Sequence, residues 1–180
     1  MATRALILAG ILATGSVMAA DEKVESPVTQ DGVVKITWQN PDKYSDIEST
    51  AERQSRFEQR AFDSMTENLA KLAGKVLTHG EQMQMTVTNV DLAGDVRPTF
   101  GASASDIRVL KDIYPPKITF SYQITKGQQV VMSGEEELRD LNYLGGIQPR
   151  RQESFMYENQ MLKHWFNKTI TPRMEGTPPK

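Results

Sequence analysis

The chain has 180 residues, no cysteine and a formal net charge of −2 at pH 7. Without thiols there is no disulfide, no thiolate metal site and no lipid-modified cysteine, and without a basic excess there is no field to neutralise nucleic-acid phosphates. A chain of this size makes one domain and buries roughly 70% of its unfolded surface, so a hydrophobic core has to hold it together.

Arg4 precedes an uncharged run, residues 5–17, closed by Val17-Met18-Ala19. A basic start, a short apolar stretch and small residues at the −3 and −1 positions make a signal peptide over residues 1–19, cut after Ala19, with Ala20 the second choice. The run falls short of the roughly 20 residues that span a bilayer core, so no membrane span is expected in the mature form. The pattern predicts a freely soluble exported protein.

Residues 20–32 are polar, carry Pro27 and lack a periodic pattern, which reads as a flexible leader. Val34, Ile36 and Trp38 then alternate with Lys35 and Thr37, a strand with one buried face, stopped by Asn40-Pro41. Ser49-Thr50-Ala51-Glu52 fits a capping box, Asp46 being the other residue able to open the helix. Phe57, Ala61, Met65, Leu69, Leu72 and Val76 lay one apolar stripe along this long helix, which His79-Gly80 ends. Met83, Met85 and Val87 mark a second half-buried strand running into Asp91-Leu92-Ala93-Gly94-Asp95. Residues 97–105 read as an irregular loop, with Ile107 and Val109 adding a short edge strand before Pro115-Pro116. Ile118, Phe120, Tyr122 and Ile124, the Lys126-Gly127 turn and the returning stretch 130–138 make a hairpin.

Gly145-Gly146 and Pro149 break the chain before a second helix carrying Tyr157, Met161, Leu162, Trp165 and Phe166, and residues 171–180 form a disordered tail. The order predicts one α+β domain over residues 33–170. Its architecture is a two-layer sandwich, a mostly antiparallel sheet of about four strands covered by one long helix and a C-terminal helix.

Residues able to do chemistry gather between positions 89 and 108, where Asp91, Asp95, Arg97, Asp106 and Arg108 surround a strand end and a loop. Two carboxylates four residues apart could take a hard cation or work as acid and base, with an arginine holding an anionic substrate. The spacing lacks the alternating ligands of a calcium loop. A structural reading also accounts for the same residues: aspartate caps a turn, Gly94 supplies a positive φ and arginine pairs with aspartate. His79 and His164 have no metal or triad spacing, and their positions read as capping and packing. Gly101-Ala102-Ser103-Ala104-Ser105 ends in serine where a nucleophile elbow has glycine. Phe155, Tyr157, Trp165 and Phe166, at helical spacing, belong to a core. No cofactor and no metal are expected.

Trp38 with Pro41, Tyr44, Asp46 and Ile47, then Asp91-Leu92-Ala93-Gly94, Asp106-Ile107-Arg108, Tyr114-Pro115-Pro116, the Tyr122 strand, Glu137-Leu138 and Asp140-Leu141, resemble the domain-of-unknown-function 3016 family over residues 33–144. The resemblance implies an exported protein of a Gram-negative bacterium and supplies no activity and no catalytic residue. It also implies that the Asp91 loop and the Pro115-Pro116 corner form one built feature. The absence of a catalytic constellation weighs against an enzyme. The expectation is a periplasmic binding or envelope-accessory domain whose partner is another envelope protein or a small ligand, not nucleic acid. The alternative is a small hydrolase or metal-dependent enzyme using Asp91, Asp95 and Asp106.

Overall fold

The computed structural model describes residues 26–99, 106–145 and 153–176. The signal peptide with its cleavage point, the 101–105 stretch, Gly146 with Pro149, and residues 177–180 lie outside the described residues. In chain order the elements are β1 (Val28–Asp31), β2 (Val34–Trp38), α1 (Gln54–Val76), β3 (Glu81–Asp91), β4 (Asp95–Pro98), β5 (Asp106–Val109), β6 (Lys117–Lys126), β7 (Gln129–Arg139), α2 (Met156–Trp165) and α3 (Thr171–Met174). One sheet has the order β1-β2-β3-β6-β7, while β4 and β5 make a separate two-stranded ladder. Within the large sheet β2 and β3 are parallel and the other neighbours antiparallel. A parallel pair needs a crossover, and α1 supplies it. The fold is the expected α+β sandwich with more strands than the pattern alone announced.

The period-2 alternation puts three in-register rows on the inner face: Val34, Met83 and Ile124; Ile36, Met85 and Tyr122; Trp38, Val87 and Phe120. All are buried, beneath Ala61, Phe62, Met65 and Leu69 of α1 and Met161, Leu162 and Trp165 of α2. Trp38 stacks on Phe62 with ring centroids 4.2 Å apart, and Trp165 stands edge-on to Phe120 and Tyr122. Gly134 faces Tyr122, and a Cβ there would meet the tyrosine ring at 2.9 Å. Gln84, Thr88, Ser133 and Glu135 are exposed, as one solvated sheet face requires.

A bulge interrupts β3, where Val87 lies opposite Phe120 and Asn89 opposite Thr119, so Thr88 is an extra residue. It reverses the inside–outside phase. Val90 is therefore buried and Asp91 half-buried on the other side.

Several boundaries differ from the sequence pattern for local reasons. β1 lies within the stretch read as a leader, held less by apolar burial than by a buried hydroxyl chain. Trp38 Nε1 donates to Thr29 Oγ1 at 2.9 Å, Thr29 meets Thr66 Oγ1 at 2.6 Å, and Thr66 donates to the Phe62 carbonyl at 2.7 Å. Helix α1 begins at Gln54 rather than Ser49. Ser49 Oγ does accept the Glu52 N–H at 3.1 Å, but Glu52 turns its carboxylate to Arg60, and Gln54 Oε1 accepts the Ser49 N–H at 3.0 Å in its place. Arg97 and Pro98, the first residues of the stretch read as an irregular loop, belong to β4 and pair with Ile107 and Asp106 of β5. Residues 171–174, read as tail, are helical. A π-turn over Phe166–Ile170 delivers Pro172 to a first-turn position, where its missing N–H costs no helix bond. No helix among the described residues is long and apolar enough to cross a membrane.

Candidate functional site

The charged residues singled out in the sequence lie at one end of the sheet. Asp46 bridges to Asp91, Asp91 lies opposite Lys117, and Lys117 lies opposite Arg139, a row of charge across four segments. Lys117 Nζ donates to Asp91 Oδ2 at 2.7 Å. Arg108, on β5, makes a two-pronged contact with Asp46 at 2.7 and 2.9 Å, and the same guanidinium donates to the Glu48 carbonyl at 2.9 Å. Asp46 thus closes a turn onto the Glu48 N–H and anchors the β4–β5 ladder; it does not open α1. Asp95 holds Arg97 at 2.7 Å, and that guanidinium lies over the Tyr114 ring and bonds its hydroxyl. Asp106 is exposed opposite Pro98.

Asp91 and Asp95 therefore share a polar recess of about 390 Å³ with Asp46, Tyr114, Lys117 and Arg139, whereas Arg108 lines the neighbouring pocket. Arg97 and Asp106 line neither of the two. The Gly94 N–H donates to the Tyr114 carbonyl at 3.0 Å, which ties the Asp91 loop to the corner before Pro115. Gly94 has the positive φ expected of it, 94°, and a Cβ there would meet the Val109 carbonyl at 2.9 Å. Among the described residues no three His, Asp or Glu side chains come close enough to share a metal ion. His79 and His164 are both exposed.

Behind the Arg108–Asp46 pair lies a pocket of about 240 Å³. Phe57, Leu92, Leu110, Phe155 and Met156 supply its apolar walls, and Glu158 lines it while being only 3% exposed. Glu158 Oε1 accepts the Ala93 N–H at 2.7 Å. Burial pushes this carboxyl above the usual range, against the pull of the Ala93 N–H and the Arg108 charge. Phe155 enters α2 at φ 59°, a left-handed conformation uncommon for an aromatic residue. Its ring meets Phe57 edge-on, and the Arg60 guanidinium lies 5.8 and 5.6 Å from the Phe57 and Phe155 ring centres. Phe155 thus belongs to the pocket rim, while Tyr157, Trp165 and Phe166 are buried as a helical stripe suggests. Sequence reasoning missed Glu158; a carboxylate inside the apolar stripe of the second helix was its signal.

Neither the curated proteins nor the solved structures yield a match. A family model described as a protein of unknown function (DUF3016) matches residues 32–168. The match runs from the turn before β2 into the π-turn and so takes in both the charged row and the pocket. The chain belongs to the DUF3016 family.

Proposed function

We propose that this chain is an exported, periplasmic protein whose domain binds a small ligand without catalysing a reaction, and that the ligand enters the pocket beside Glu158. One observation carries the reading: apolar walls enclose a nearly buried carboxyl, the usual make-up of a small-ligand site. Asp91 and Asp95, the carboxylates an acid–base or metal mechanism would use, are each tied to a cation of their own. The signal-peptide pattern over residues 1–19 supports export.

The binding test uses 4-dimethylaminobenzonitrile, an uncharged one-ring dye that brightens in apolar surroundings. Wild-type protein is expected to light the dye, and Leu110→Trp, which fills the pocket from its partly exposed wall, to weaken the signal about tenfold or more at unchanged melting temperature. A wild-type protein that leaves the dye dark overturns the pocket reading. N-terminal sequencing of protein from native cells tests export, with Ala20 the expected first residue and an intact Met1 the contrary result.

A further inference from the structure

We infer that the pocket selects a small organic cation, an ammonium group on a compact apolar body; the inference rests on the pocket reading above. Its two arginines are already engaged, Arg108 by Asp46 and Arg60 by Glu52. The three glutamates of the lining, Glu48 and Glu153 at the exposed mouth and Glu158 inside, have no cation within 4.0 Å among the described residues. Among the described residues the donors to the Glu158 carboxyl are backbone N–H groups, that of Ala93 at 2.7 Å and its own, and no side chain pairs a charge with it. The surplus charge of the lining is therefore negative, and its most buried member is the one best placed to meet a donor.

The aromatic rim points the same way. Phe57 and Phe155 already hold a cation, the Arg60 guanidinium, over their faces. A charged amine passing that rim meets ring faces outside and, inside, a carboxyl whose charged form burial disfavours and a paired cation would stabilise. At about 240 Å³ the pocket is smaller than the roughly 300 Å³ where drug-sized sites begin, so the apolar body is one ring or a short chain.

Titration calorimetry on the mature chain tests this with three probes of one shape: phenethylamine, phenethyl alcohol and phenylacetate. The amine is expected to bind about tenfold more tightly than the alcohol, and the acid more weakly than both. Glu158→Gln is expected to bring the amine to the level of the alcohol while leaving alcohol affinity unchanged. Glu48→Gln with Glu153→Gln, which touches only the exposed mouth, is expected to weaken the amine about two- to threefold at low salt, an effect lost at high salt. If the acid or the alcohol binds as well as the amine, the charge selection is wrong while the pocket stands. If Glu158→Gln folds and leaves amine affinity unchanged, or if no probe binds, the cation inference falls; the dye result then decides separately whether the pocket binds anything.

Discussion

Glu158 and Arg108 show how single side chains set the character of this end of the molecule. The Glu158 carboxyl is pushed up by burial, so the folded chain holds its proton at a pH where the unfolded chain has released it. Below the ordinary carboxylate range both states are protonated and nothing is lost; as pH rises through the folded value, that stability disappears. Glu158→Gln keeps an acceptor for the Ala93 N–H and removes the charge. It is expected to raise the melting temperature relative to wild type at pH 8 and to leave it unchanged at pH 4, as thermal scans across that range would show. Equal shifts at both ends would mean that the carboxyl is not strained by its surroundings. Arg108 acts by shape: its fork takes both Asp46 oxygens and the Glu48 carbonyl, with side-chain exposures of 19% and 17% for the ion pair. A lysine keeps the charge without the fork, so Arg108→Lys is expected to cost about 2 kcal/mol in urea unfolding. A cost near zero would reduce the pair to an ordinary surface contact.

Among the elements, legibility followed periodicity. β2, the inner faces of β3 and β6, the β6–β7 hairpin and most of the α1 stripe announce themselves because an apolar residue every second or every third to fourth position has one physical explanation. β1 does not. Its only buried residue is Thr29, and the strand is fastened by hydroxyls that reach Trp38 and Thr66, partners distant in the sequence. Thr29→Val removes that fastening and leaves the indole N–H of Trp38 unpaired in the core, an expected loss of about 1–3 kcal/mol. Hydrogen exchange is expected to quicken first in the β1–β2 ladder. Exchange unchanged there would show that the hydroxyl chain does not hold the strand. The start of α1 was misread because Glu52 has a stronger partner in Arg60 than in the backbone of Ser49, a competition no local motif contains.

For the whole molecule, the sequence disclosed the sandwich but only half of the site. Asp91, Asp95, Arg97, Asp106 and Arg108 stand close in the chain, so their concentration was visible. Their division into separate pairs was not, because Lys117 and Asp46 arrive from other segments. The pocket was hidden for the same reason: Glu48, Phe57, Leu92, Leu110 and Glu158 share no period and meet only when α1, the β4–β5 ladder and α2 converge. The bulge at Thr88 bears on how this arrangement tolerates change in length. With Thr88 taken out, Val87 and Asn89 would face Phe120 and Thr119 as ordinary neighbours, Val90 would still point inward and Asp91 would still reach Lys117. Deleting Thr88 is therefore expected to straighten β3 and spare the fold, while deleting Gln84, in the regular part of the strand, turns its flank inside out; comparing the soluble yield of the two deletions would show it. The sheet thus carries a spare link at the one point in β3 where the chain can be shortened without exchanging what faces oil for what faces water.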